Sequence, residues 1–293
     1  MGIETIGERI KKLRKKANIS QKALSYNICS QSEISRIENN SINPSSFILQ
    51  KIAERLGVNV EYFYHDRDSI RQDYIDEIKR QLERYRRLRD YKEIEKILIY
   101  ESKSPVILKN EYMKKYIQWH KGIVAYHLYS NPELALKELE EIINTENIYS
   151  ELKVDVLNSI GIICRNLKDL KKAAFYLEKG LKIVIDMPFV NKNRIFLKIN
   201  YNLSKVYTDM NCIDKSLDLC SKGINYCKLY EDMYLFSEFH YQSGRNWLIK
   251  GNTQMGLNFW NKAIEILKIE GKTELAKIIE YESQQYKFNS TIV

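Results

Sequence analysis

Apolar residues recur every three or four positions along this chain of 293 residues, the spacing of helices that bury one face. Residues 1–65 carry five short patterns of this kind, separated by polar breaks. Residues 66–92, DRDSIRQDYIDEIKRQLERYRRLRDYK, predict a charged helix with a narrow apolar stripe of Ile70, Tyr74, Ile78, Leu82 and Tyr85. That stripe fits a solvated connecting helix, and equally a linker that also packs against a partner subunit. Gly and Pro are scarce, at 11 and 4, so the connections are short and the fold class is all-α.

From residue 82 onward a longer period appears. In NSIGIICRNLKDLKKAAFYLEKGLKI, Gly161 precedes Ala173 by twelve positions, and Leu177 and Gly180 follow Ala173 by four and seven. The same ladder runs Ser204, Ser216, Cys220, Gly223, and again Gly244, Gly256, Trp260, Ala263. A weaker copy is Ile123, Ala135, Leu139, Ile142, and the weakest is Leu82, Ile94, Leu98, Glu101. Each ladder predicts a helical hairpin in which small residues allow close approach and bulky ones fill the gap to the next hairpin. The pattern resembles the tetratricopeptide repeat, with starts 38–43 residues apart. The expected plan is a small helical domain over 1–65, a linker helix over 66–92 running into the first repeat, and five repeats over 82–293 with a capping helix near 273–288. Stacked hairpins of this kind offer an inner wall suited to an extended ligand.

The first module repays a closer reading. IGERIKKLRKKA predicts its first helix; Ser20 is the expected N-cap of a second. Ser30 and Glu33 form an S-x-x-E capping box that starts a third helix, and Asn39-Asn40 ends it. Ile10, Leu13, Leu24, Ile28, Ile34, Ile37, Leu49, Ile52, Ala53 and Leu56 supply one small core. The third helix, SQSEISRIENN, then turns Gln31, Ser32, Ser35 and Arg36 outward. Amides suit adenine edges and guanidinium suits guanine in the major groove of double-stranded DNA. Arg36 suits a phosphate as well, and Glu33 reads as a capping residue rather than a base reader.

SQKALS, SQSEISRIE, Pro44 and LQKIAERLGV make this module similar to the lambda-repressor/Cro-type (Xre-type) helix-turn-helix. Most members have Gly in the turn where this chain has Cys29. Matched to that family, Gln31, Ser32 and Arg36 fall on base-reading sites and Gln21 on a phosphate-contact site. Arg14 and Glu38 fall on a buried ion pair between helices 1 and 3. Such modules usually pair, so the resemblance implies a homodimer on a near-palindromic operator, with half-sites roughly 34 Å apart.

An Xre module followed by tetratricopeptide-like repeats is the architecture of the RNPP family, and NICSQSEISRIE, YFY, RYRRLRDYKEIEK, YIQWH, LNSIG, YNLSKVY and YQSG carry the resemblance along the chain. It implies a receptor for a short signalling peptide of quorum-sensing type. A bound peptide needs donors and acceptors for its backbone, which Asn and Gln supply together; Asn158, Asn202 and Gln242 occupy nearly equivalent places on the first helices of three successive repeats. Arg87 and Arg89 match positions where such receptors carry basic residues facing the peptide, and Tyr64 matches a position near both linker and ligand.

The net charge of +9 suits a polyanionic partner. Residues 1–65 hold ten Lys/Arg against six Asp/Glu, so the surplus is shared between module and body. Five cysteines without a CxxC pair read as reduced thiols in a cytoplasm. No apolar run follows Met1 and none approaches a membrane span of about 18 residues, so no membrane is expected. No nucleophile elbow, P-loop or HExxH occurs, which argues against an enzyme. His120 and His127 lack an evident third ligand, so neither metal nor cofactor is expected. The alternative signals are thiol redox state, through Cys212, Cys220 and Cys227, or a protein partner.

Overall fold

The computed structural model describes residues 5–64, 68–144, 150–186 and 192–291. Among these the chain is helical and holds no strand, and it divides into two compact units, Met1–Gln81 and Leu82–Val293.

The N-terminal unit contains α1 (Ile6–Lys16), α2 (Gln21–Ser25), α3 (Gln31–Glu38), α4 (Ser46–Leu56), α5 (Glu61–Tyr64) and the first part of α6 (Asp68–Leu88). Hydroxyls begin four of these helices. Thr5, Ser20, Ser30 and Ser45 each accept a hydrogen bond from the amide three residues ahead, supplying a partner that the first helical turn lacks. The turn into α3 takes its left-handed residue at Asn27, φ 55°, a conformation Asn tolerates better than most side chains. Cys29 is thereby freed to pack partly buried on the core. Asn40, φ 58°, reverses the chain after α3.

Seven of the ten expected core residues, Ile10, Leu24, Ile34, Ile37, Leu49, Ile52 and Ala53, are buried. Leu13, Ile28 and Leu56 pack on them partly exposed, and Phe63 from α5 completes the cluster. Each fully buried Ile or Leu contributes about 1.5–3 kcal/mol. The Arg55 guanidinium donates to the carbonyls of Ala23, Leu24 and Tyr26, tying α4 to the end of α2. α1 crosses α3 so closely that a Cβ on Gly7 would lie 2.0 Å from the Ile37 carbonyl oxygen.

The C-terminal unit begins within α6. The charged helix expected over 66–92 ends at Leu88, because Arg89 turns left-handed at φ 57° and Asp90 caps the next helix by accepting from Glu93 N at 3.2 Å. There follow α7 (Tyr91–Glu101), α8 (Pro105–Leu108), α9 (Glu111–His127), α10 (Pro132–Ile143), α11 (Ser150–Asn166), α12 (Leu170–Asp186), α13 (Lys192–Asp209), α14 (Ile213–Leu229), α15 (Phe236–Ile249), α16 (Thr253–Ile269) and α17 (Thr273–Thr291). The hairpins are α9–α10, α11–α12, α13–α14 and α15–α16, closed by α17, and α7 packs against α9.

Every ladder position is buried, Glu101 included. In the α11–α12 and α15–α16 hairpins the glycine of the first helix faces a bulky residue on the second. A Cβ on Gly161 would sit 2.5 Å from Leu177 Cγ, and one on Gly244 would sit 2.2 Å from Trp260 Cδ1. In the α9–α10 hairpin the close approach is at Gly122, against Leu139 at 2.9 Å, one position before the expected Ile123.

Gly7→Ala is expected to destabilise the N-terminal unit by about 1–3 kcal/mol, the usual cost of forcing atoms into a packed contact, because the obstacle is backbone and cannot rotate away. Chemical denaturation followed by circular dichroism checks this.

Candidate DNA-reading helix and ligand groove

α3 is eight residues long, and its two faces differ. Ile34, Ile37 and Glu38 are buried; Gln31, Ser32 and Arg36 are exposed, with Ser35 intermediate. What fixes its position is an ion pair. Arg14 Nε and Nη2 donate to the two oxygens of Glu38 at 2.6 and 2.8 Å, and Arg14 Nη1 donates to the Ile19 carbonyl at 2.8 Å. Gln21 Nε2 donates to Glu38 Oε2 at 2.9 Å, and Gln31 Nε2 donates to Gln21 Oε1 at 2.9 Å. A chain of bonds thus runs from a buried carboxylate to the exposed tip of α3. Gln21, assigned to a phosphate by resemblance, stands between the ion pair and Gln31. Arg14, Ser20, Gln21, Lys22 and Gln31 together line an open depression of about 680 Å³.

Burial opposes charge on Glu38, but the hydrogen bonds from Arg14 and Gln21, with the charge on Arg14, outweigh it and hold the carboxyl below its ordinary value. The bond to Glu38 in turn raises Arg14.

A groove of about 830 Å³ lies within the C-terminal unit, lined from α6, α7, α9, α11, α13 and the entry to α15. Of the six residues expected to hold a peptide, Arg87, Arg89, Asn158 and Asn202 line it. Asn202 Nδ2 donates to Asn158 Oδ1 at 2.8 Å, joining α13 to α11 on the wall. Two residues lie elsewhere. Gln242 is 2% exposed; its Nε2 donates to Thr208 Oγ1 at 2.7 Å, beside the Asn246–Ser216 bond of 2.7 Å. Its amide is engaged in the interior of the repeats, which corrects its placement on the wall. Tyr64 ends α5 in the N-terminal unit with its side chain exposed, outside the groove lining.

Sequence reasoning missed the aromatic and charged parts of the groove. Trp119 donates from Nε1 to Ser159 Oγ at 2.9 Å, and the Arg86 guanidinium lies 4.5 Å from the Trp119 ring centroid. Tyr91 stacks on His127 at 4.3 Å. The signal that was available is RYRRLRDY: four cations and two tyrosines at a helix end. Both histidines of the pair considered for metal are held toward neutrality. Burial pushes His120 down to about 3, with Arg86 adding to it, and burial then Arg89 lower His127. Among the described residues no group of three or more His, Cys, Asp or Glu is placed to hold a metal. Burial also pushes the thiols of Cys164 and Cys220 up to about 11 and that of Cys227 up to about 12. They stay protonated at neutral pH and are poor nucleophiles.

A helix-turn-helix that presents amides, hydroxyls and a guanidinium, joined to helical repeats around a groove, defines a DNA-binding regulator with a receptor domain. The chain belongs to the RNPP family. Residues 79–289 match the RNPP family C-terminal domain, and residues 10–63 match a helix-turn-helix family. Among solved structures, Bacillus thuringiensis PlcR in complex with the peptide PapR7 and DNA is similar at 26% identity, with TM-score 0.72, covering 94% of this chain and 99% of that one. Apo PlcR from the same organism is similar at 26% identity with TM-score 0.66, over 95% and 98% of the two chains. ComR from S. thermophilus, in complex with DNA and its signalling peptide ComS, shares the fold at 16% identity and TM-score 0.62, over 97% and 100%. No curated protein sequence matches the chain significantly. Among the described residues no helix is long and apolar enough to cross a membrane.

Glu38→Gln is expected to cost about 3 kcal/mol at neutral pH, since it leaves a largely buried guanidinium without its counter-charge. A carboxyl lowered in the folded state stabilises fully above its unfolded pKa and loses that contribution as pH falls through its folded value. The stability gap between wild type and variant therefore closes in acid, below the ordinary carboxylate range. Urea denaturation across pH measures it.

Proposed function

We propose that this chain is a cytoplasmic transcription regulator that binds a near-palindromic operator as a homodimer and is controlled by a short signalling peptide held in the groove. Gln31, Ser32 and Arg36 read base edges, Ser35 lies beside them, and Gln21, which holds Gln31, meets phosphate. In the groove, Asn158 and Asn202 meet the peptide backbone and Arg87 and Arg89 meet a carboxylate. The observation that carries this reading is the convergence of Arg87, Arg89, Asn158 and Asn202 on one cavity, in a chain whose relative PlcR is solved with both a peptide and DNA.

Control follows from α6. Its last two turns contribute Glu83, Arg86 and Arg87 to the groove, and the chain enters the C-terminal unit along this helix. A peptide that prefers one arrangement of these residues shifts the population of the regulator toward it.

Selection from a random pool of duplexes is expected to enrich a near-palindrome. Affinity for it should fall steeply with salt as counterions are released at each phosphate contact. Gln31→Ala and Arg36→Ala are each expected to weaken binding to that duplex by about 1–3 kcal/mol and relax sequence preference. Folded variants with wild-type affinity and preference would refute the reading helix.

A further inference from the structure

The groove carries more positive charge than its own carboxylates balance. Five cations line it, Arg86, Arg87, Arg89, Arg194 and Lys198, against Glu83, Glu151 and Asp155. Two pairings are made: Lys198 Nζ lies 2.8 Å from Asp155, and Arg87 Nη2 lies 3.5 Å from Glu83. Among the described residues, Arg86, Arg89 and Arg194 have no carboxylate within ion-pair distance.

Two of these arginines are laid on aromatic rings. Arg86 lies 4.5 Å from the Trp119 centroid and Arg194 lies 5.4 Å from the Tyr234 centroid. Stacking fixes a guanidinium by its face and leaves its edge of N–H donors available, the edge that grips a carboxylate with two parallel bonds. The two cations also converge. Burial raises the Tyr234 phenol, while the charges of Arg86 and Arg194 both act to lower it and those of Asp155 and Glu238 to raise it. Arg86 from α6 and Arg194 from α13 line the same groove as Tyr234 and the Lys198–Asp155 pair. The two carboxylates that act on Tyr234, Asp155 and Glu238, are already paired with Lys198 and Lys272. Arg194 is exposed, but Arg86 is half-buried, and a partly buried cation without a partner is a cost that an incoming anion removes.

We propose that Arg86 and Arg194 form a carboxylate subsite beside Tyr234, so that the groove selects acidic peptides over neutral or basic ones. This inference rests on the groove being a peptide receptor. The carboxylate comes from an acidic side chain or from the peptide C-terminus; both present the same group to the same donors. Trp119, Ile123 and Tyr201, which share the lining, supply apolar surface for side chains next to the acid. The subsite is separate from Arg87, whose guanidinium already has Glu83 as a partner.

The test uses the intact chain and three pools of random heptapeptides with equal apolar content. One pool carries two acidic residues, one is uncharged and one carries two basic residues, and each is made as free acid and as C-terminal amide. Retained peptides are counted by mass spectrometry. The expected result is at least about tenfold enrichment of the acidic pool over the neutral one, lost in the Arg86→Gln/Arg194→Gln variant while its circular dichroism and melting temperature stay those of the wild type. Acidic amides retained as well as acids assign the subsite to a side chain; loss on amidation assigns it to the C-terminus. Should the double variant not fold, the wild-type preference must still fall with rising salt. Equal retention of all three pools, or an acidic preference that survives in the folded variant, overturns the subsite and leaves the receptor reading intact. Retention of no pool overturns the receptor reading, and the subsite with it.

Discussion

Glu38 sits in the N-terminal unit with 1% of its surface exposed, and a carboxylate so placed has to be paired or lose its charge. Arg14 meets it with two bonds and uses a third donor on the Ile19 carbonyl. One guanidinium thus fixes the end of α1, the entry to α2 and the end of α3 together. The remaining acceptor capacity of Glu38 goes to Gln21, and Gln21 holds Gln31. The exposed tip of α3 is therefore oriented by a buried charge rather than by its own short helix, which has few internal bonds to rely on. Gly7, pressed on the Ile37 carbonyl, sets the distance at which this pairing is made.

The C-terminal unit depends on a different constraint, the volume left between paired helices. Gly161 against Leu177 and Gly244 against Trp260 allow no added methyl group without a shift. Repeated along the stack, this close packing aligns the first helices of successive hairpins, so that Asn158 and Asn202, 44 positions apart, share a hydrogen bond. The groove is a consequence of that alignment. Its wall is drawn from residues that no local pattern connects, and its charge is concentrated where α6 ends and α13 begins.

Much of this architecture is legible in the sequence because it rests on short-range rules. Ser20 and Ser30 announce helix starts by chemistry, and the ladder from Gly161 to Gly180 announces a hairpin by spacing. Features set by competition between distant groups are not legible in the same way. The left-handed residue falls on Asn27 rather than at Cys29, because Cys29 has a core to pack on. Gly122 rather than Ile123 meets Leu139, a shift of one position that an apolar pattern alone does not resolve. Gln242 stands two residues before Gly244 just as Asn202 stands two before Ser204, yet Thr208, itself bonded to Asn246, offers it a partner inside. Arg86 escaped notice because its role depends on Trp119, 33 positions away in sequence, being under it.

Two units joined through α6 gain a common function when a ligand in one changes the affinity of the other. The most direct measurement is the Kd for the selected duplex, at fixed salt, with and without a saturating peptide retained by the groove. The account predicts a change of at least about fivefold, the lower end of coupling between linked sites, and an equal effect of the duplex on peptide affinity. A peptide that binds the groove and leaves the DNA Kd unchanged contradicts it.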